Sequence, residues 1–541
     1  MTGKESPPSD PTAVFDMELI PGTELMREAE GVHLTNGPKH DTQLIPCPSD
    51  DPTDPLNWSK PWKYLVITTQ FLFLFVSVES ALSMGPMFPM FAAEFHLNDT
   101  QLSLLTGACV LALGFANFII VPCSNTFGRR LTSLLFCLIG ISSCIWQARA
   151  TSYTSILAAR VINGIATATS ETLLVQVVAD MLFLHERGLW TGVYFMGYFL
   201  GLFIGPVISG NIAQRYGWRS FFWLSLALTC FNFITLTICF PETRFRRDSA
   251  SDNSELRATT SSGQSIKQRD PEVEAEQLEN IERAIIVGTG RPSKSQFKLW
   301  QAPEAAWTSI LLRDIITPFR LFFFPIILWA GLNVAGPANV LLFWNLTESS
   351  VLSAPPYNFS PSSVGYANFA FVVGGLIGLA TAGPLSDWVA VRATKRNNGI
   401  REAEMRLPAL IPYLFITVVG IMIGGVGYDR LWDWPVILIV GYGFSGICVT
   451  AVPTIAIAYA VDCYKPISGE IMVVATVIKN VCGFVMSYWV MPMAARRGFL
   501  APAMVEFALT IGPMVLGLPI YLFGKRLRRL TRNSTVYTHG G

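Results

Sequence analysis

The sequence predicts an all-α integral membrane protein with twelve transmembrane helices in two pseudo-symmetric six-helix bundles. Three observations predict it. Of the 541 residues, 51% are hydrophobic and only 14% charged, against about 25% charged in a typical soluble chain. The apolar residues gather into twelve runs, each near the roughly 20 residues that cross a hydrocarbon core. A polar stretch in the middle separates six runs from six, and the two sets repeat features at matching places.

Residues 1–62 are polar and rich in Pro, Asp and Ser, and are expected to form a disordered cytoplasmic tail. No apolar core precedes the first run, so no secretory leader is expected. The first bundle is expected over 63–243, with spans at 64–84, 101–122, 131–149, 153–181, 190–211 and 220–240. A cytoplasmic linker is expected over 244–317. Its stretch "RFRRDSASDNSELRATTSSGQSIKQRDPEVEAEQLENIERA" is too polar to bury a core of its own, with room for a short helix over 271–286. The second bundle is expected over 318–526, with spans at 319–343, 364–386, 407–428, 435–460, 468–491 and 503–524, followed by a cytoplasmic tail over 527–541.

Basic residues orient the chain. Arg129, Arg130, Arg392, Lys395, Arg396, Arg401 and Arg406 lie in loops on one side, and Lys525, Arg526, Arg528, Arg529 and Arg532 follow the last run. Loops 84–100 and 346–361, on the other side, hold no Lys or Arg; Arg496 and Arg497 break the pattern. The bias predicts that both termini of this multi-pass protein lie in the cytosol, and the plasma membrane is its expected location. Sequons at Asn98, Asn345 and Asn358 fall in loops placed outside and are candidate glycosylation sites.

Several function classes drop out. The net charge of +1 is uninformative about nucleic acid, but no basic–aromatic interleaving of the RNA-binding kind appears and no nucleic-acid partner is expected. The cysteines lie mostly within the runs, without CxxC or other metal-ligand spacing, and read as small buried hydrophobes. No phosphate-binding loop, G-x-S-x-G or HExxH motif appears, so no catalytic residue, cofactor or metal site is expected and the chain is not read as an enzyme. "IIVGTGRPSK" contains a GxG, but it sits in the linker without a strand–helix context.

The repeats are specific. "NTFGRR" after the second run corresponds to "GPLSDWVAVR" after the eighth. "VVADMLFLHERG" at the end of the fourth corresponds to "YAVDCYKPISGE" at the end of the tenth. Two halves with matching turns suggest a parallel duplication, a layout of secondary carriers.

Here a family resemblance enters. The chain resembles a major facilitator superfamily (MFS) transporter, and within it the fungal twelve-span drug:proton antiporters. "DPTDPLNWSKPWKY" (Asp51–Tyr64) is similar to their Asp-Pro/Asn-Trp lead-in. The two turn motifs, with Asn125, Gly128, Arg129 and Arg130 in one half and Gly383 and Asp387 in the other, resemble the superfamily loop G-x-x-x-D-R-x-G-R-R. "RVING", with Arg160, resembles the arginine motif of the fourth span. "GWRSFFW" and "FPET" resemble the turn before, and the end of, the sixth. "GVYFMGYFLGLFIGPVISG" resembles the antiporter motif of the fifth span through Gly192, Gly201, Gly205, Pro206 and Gly210, with Ser209 in place of one glycine. There are departures. Asn125 and Thr126 stand where the loop motif has an acid and a base, Val121 replaces a glycine, and Trp388 replaces the base beside Asp387.

Ionisable groups inside a membrane are costly and tend to face a cavity or a partner. Glu79, Glu171, Arg160 and Lys479 are therefore the proton-coupling candidates. Arg160 and Glu171 lie eleven residues apart, three helical turns, so they share a face. Asp180 and Asp462 occupy matching helix ends, where a gate contact would break and re-form. Tyr194, Asn333, Asn339, Trp344, Tyr488 and Trp489 could line a drug-sized cavity. Gly197, Gly201, Gly205 and Ser209 recur every four residues, as do Gly374, Gly378 and Ala382. Such small-residue stripes let backbones approach. In the superfamily spans five and eight face each other, so these two stripes are expected to touch.

The resemblance implies a monomeric secondary transporter that binds a small-molecule substrate and protons within membrane lipid. Proton-coupled export of small organic compounds is the leading expectation. Uptake of an organic cation, polyamine or other nutrient is one alternative, and a non-transporting nutrient sensor is another.

Overall fold

A computed structural model describes residues 23–25, 49, 51, 53–245, 288, 290–300, 307–397, 400–464 and 468–531. Among them, eleven helices are long and apolar enough to cross a membrane. A pair bent by 43°, Leu500–Val515 and Gly517–Thr531, supplies the twelfth span. The others are Lys60–Leu82, Asp99–Phe127, Arg129–Arg149, Tyr153–Met181, Leu184–Tyr216 and Trp218–Cys239 in the first half. Pro325–Leu352, Phe369–Arg396, Leu410–Arg430, Gly443–Cys463 (entered through a π-helical turn, Ile437–Tyr442) and Ser468–Arg497 form the second. They are numbered here as spans 1 to 12. The bundle end that carries the 244–317 connection is the linker face, and the opposite end is the far face.

Several ends follow from local chemistry. Asn98 caps span 2 reciprocally with Gln101. Gly128 ends that span at φ +105°, and Gly217 separates spans 5 and 6 at φ +82°, conformations in which a side chain is strained. Span 7 starts later than expected. The sequence reading ran it from 319, but a separate amphipathic helix, Trp307–Leu321, precedes it, and Pro325 opens the span as its first residue. Span 7 then runs on to Leu352, so the expected outer loop at 346–361 is helical in its first part.

The expected disordered tail is ordered where the lead-in motif lies. Asp54 accepts a hydrogen bond from the Leu56 amide, Asn57 donates to the Ser49 carbonyl at 2.7 Å, and Leu56 and Trp58 are fully buried. Lys63 Nζ donates to the Leu56 carbonyl at 3.0 Å. The linker joins in: Trp58 bridges to Gly290, and Gln296 donates to the Thr53 carbonyl. Strand β1 (Thr23–Leu25) pairs antiparallel with β2 (Ile400–Glu402), beyond span 8. The residues of the helix expected over 271–286 lie outside the described residues.

The expected contact between the small-residue stripes does not form. Gly197, Gly201 and Gly205 of span 5 pack on span 1. A Cβ on Gly201 would lie 2.7 Å from the Phe75 carbonyl, and one on Gly205 would meet Ser83. Gly374 and Gly378 pack on span 10, against the backbone of Gly443 and Ile447. Each stripe closes its own half, because small residues bring together the helices that stay together. Span 5 does meet the second half, but elsewhere, at the short helix Pro361–Ala367 that precedes span 8 and at span 8 itself. A Cβ on Gly365 would lie 2.7 Å from the Pro206 carbonyl, one on Gly210 would lie 2.4 Å from the Pro361 carbonyl, and Phe203 covers Gly375. Gly192 and Gly383 have open space beside them.

Candidate functional site

A cavity lies between the halves. Leu82, Thr106 and Tyr198 line it from the first half, and Asn339, Asn345, Asn368, Lys479 and Asn480 from the second, among apolar neighbours such as Phe199, Phe203 and Leu342. The space enclosed by this lining, its open mouth included, is about 690 Å³.

Among the described residues, one ion pair crosses between the halves at this cavity. Lys479 Nζ of span 11 donates to Glu171 Oε1 of span 4 and, at 3.0 Å, to the Tyr198 hydroxyl of span 5. The ammonium also sits 4.7 Å from the Tyr198 ring centre. Lys479 is 9% exposed and Glu171 3%. A lone charge buried this deeply would cost several kcal/mol, and pairing with a second hydrogen bond offsets that cost. Helical spacing puts Arg160 and Glu171 on one face, and the structure gives them separate partners. Arg160 donates to the carbonyls of Leu105, Ser80 and Ala81 and to Gln147 Oε1. It is fully buried and ties span 4 to the end of span 1. Glu79 is also fully buried, but between helices of the first half, where Ser225 Oγ donates to it at 3.4 Å. It does not line the cavity.

The linker-face turns form a second network. Arg129 Nε pairs with Asp180 at 3.1 Å, and its Nη1 donates to Asn125 Oδ1 at 2.8 Å. The amide at Asn125 therefore still accepts from the arginine, as an acid would. In the second half Arg406 pairs with Asp462 at 2.6 Å and Asp387 at 2.7 Å. Asp180 and Asp462 thus hold matching arginines at matching helix ends. The "FPET" motif has a physical reason. Glu242 accepts the backbone N–H groups of Arg129 and Arg130 at 2.8 and 3.1 Å, capping span 3. A Cβ on Gly128 would lie 2.3 Å from its carboxylate, so only glycine fits. Arg130 in turn donates to the carbonyls of Leu236, Thr237 and Phe240 at the end of span 6. The Trp307–Leu321 helix joins the halves here: Asn125 Nδ2 donates to Asp314 at 2.9 Å, and Phe319 stacks on Phe118 at 4.5 Å.

Of the six expected cavity residues, Asn339 lines the cavity. Tyr194 is buried beside Glu171. Asn333 and Trp344 are buried away from the cavity, bonded to the Trp329 carbonyl and to Ser445 Oγ. Tyr488 is half exposed on an apolar outer groove with Phe115 and Phe484, and Trp489 packs in the second-half core. A polar tip on an apolar ring carries no directional signal in a membrane sequence. The sequence reading passed over Tyr198, Asn368 and two buried acids, Glu348 and Glu506. Glu506 falls inside the expected twelfth run and carries the same signal there as Glu79 does in the first, whereas Glu348 falls in the expected outer loop and carries none. Asn345 is only 9% exposed within span 7, so its sequon is out of reach of glycosylation; Asn98 and Asn358 are exposed on the far face.

Comparisons with known proteins agree with this arrangement. The Major Facilitator Superfamily model matches residues 70–487. An uncharacterised MFS-type transporter of Schizosaccharomyces pombe is 28% identical over 95% of this chain and 94% of its own. The efflux pump vrtL of Penicillium aethiopicum is 24% identical over 89% of each chain. The fold is shared with the xylose transporter XylE from E. coli, at a TM-score of 0.53 and 14% identity, over 86% of this chain and 99% of that one. A family model matched over most of the chain, on twelve spans in two halves around one cavity, makes this a membrane transporter belonging to the Major Facilitator Superfamily.

Proposed function

We propose that the transporter exports small organic compounds in exchange for protons by alternating access, with both termini in the cytosol. One observation carries this reading: the buried Lys479–Glu171 pair joins the halves at the cavity wall. A proton taken by Glu171 cancels the attraction and frees Lys479, so proton loading and separation of the halves become one event. The lining suits an amphiphile, since mostly apolar walls carry a few amides that fix orientation. The relative named an efflux pump supports export. The basic loops support a cytosolic linker face.

The test is efflux of a fluorescent amphiphile such as rhodamine 6G from reconstituted vesicles under an imposed pH gradient. Efflux is expected to accelerate with the gradient and to lose that acceleration on adding a protonophore. The Glu171→Gln protein should carry dye at one rate with or without the gradient. Wild-type transport indifferent to the gradient would overturn the proposal.

A further inference from the structure

The far-face seam contains an acid that neither the ion-pair network nor the loop motifs use. Glu348, near the far end of span 7, is fully buried. Asn368 Nδ2 donates to its Oε2 at 3.0 Å, and Oε1 has no hydrogen-bond partner. The other half closes directly over it. A Cβ on Gly85, in the far-face turn Gly85–Met87, would lie 2.8 Å from Oε1 and 2.9 Å from the Asn345 carbonyl. The same seam is closed by Gly210 against Pro361 and Gly365 against Pro206. Both Asn345 and Asn368 line the central cavity, so the carboxyl stands between the cavity and the far face. The titratable groups facing it from spans 9 and 10 are the hydroxyls of Tyr428 and Tyr442, which bond to each other. Among the described residues no Lys, Arg or His pairs with it.

We propose that Glu348 is a proton-operated latch of the far-face seam. The seam closes on the neutral carboxyl and opens with the carboxylate in water. A carboxylate sealed in without a counter-cation carries the desolvation penalty of an unpaired buried charge, whereas a protonated one meets the Gly85 turn without it. Closing therefore takes up one proton from the far-face solution, and opening returns it. Acid on that side favours closure, and alkali favours opening. With one proton exchanged, the closed-to-open ratio changes by up to about tenfold per pH unit. The inference rests on the alternating-access reading, but not on export or on a gradient.

The experiment measures the seam itself. Spin labels at the exposed far-face positions His96→Cys and Asn358→Cys report the distance between the halves in lipid nanodiscs from pH 5 to pH 8, without substrate. The wild type is expected to shift toward the long distance as pH rises. Glu348→Gln should hold the short distance at every pH, and Glu348→Asp should keep a pH response. Asn368→Leu, which removes the donor to the carboxylate, should move the response to higher pH. A Glu348→Gln protein that retains the wild-type response, or that rests open, would overturn the latch, as would an unmoved midpoint in Asn368→Leu. Gradient-indifferent dye transport with an intact pH response would sink proton-coupled export and leave the latch standing.

Discussion

Removing one partner of the Lys479–Glu171 pair should be far worse than removing both. In Glu171→Gln the ammonium stays 9% exposed with the Tyr198 hydroxyl as its remaining recorded partner. Breaking a buried pair in this way costs about 3–5 kcal/mol. In Lys479→Gln the orphan is Glu171, 3% exposed, with Oε2 already lacking a hydrogen-bond partner. Its loss should be of the same order, about 3–5 kcal/mol. The double variant Glu171→Gln/Lys479→Gln leaves two neutral amides able to bond each other, and should recover at least about 2 kcal/mol of the summed losses. The assay is a double-mutant cycle on denaturant unfolding in detergent, at one lipid and salt condition. The pair is screened little by salt because it is buried, so the coupling should survive high ionic strength. Additive losses, within about 0.5 kcal/mol, would refute the clasp.

Other outcomes test the rest of the structure. Glu506 of span 12 is 1% exposed and neither carboxyl oxygen has a hydrogen-bond partner, so Glu506→Gln should unfold at the same or a higher temperature; a fall equivalent to more than about 1 kcal/mol would show that the charge is used. Gly128→Ala, with φ +105° and a Cβ driven into Glu242, should lower stability by about 2 kcal/mol or more, read by thermal unfolding. Gly201→Leu should wedge spans 1 and 5 apart within the first half and reduce the yield of folded protein, rather than leaving a folded carrier that merely fails to move. If the far face is extracellular, Asn98→Gln and Asn358→Gln should remove any glycan mass shift on a gel, while Asn345→Gln should change nothing.

Much of this architecture was readable without coordinates. Span 4 was expected at 153–181 and is found at Tyr153–Met181. The matching turns mark Asp180 and Asp462 as corresponding positions, and each pairs with an arginine of its own half, Arg129 and Arg406. The seventh span was misplaced because Trp307–Leu321 and Pro325–Leu352 abut in sequence, and hydropathy does not register the change of direction between them. The lead-in at 51–58 looked like a tail because its burial depends on linker residues more than 230 positions away.

Membrane crossing follows from composition alone. Backbone polar groups in lipid must be satisfied within the segment, so an apolar run of sufficient length has little choice but a helix. Partnership has no such local rule. Glu171 lies about 16 Å along the helix axis from Arg160, too far to pair with it, and its pairing with Lys479 arises because spans 4, 5 and 11 converge on one cavity wall. The glycine stripe of span 5 likewise announced a close approach without saying to what. Small residues specify how near two helices come, whereas which helix arrives depends on the packing of the whole half, and here it is span 1.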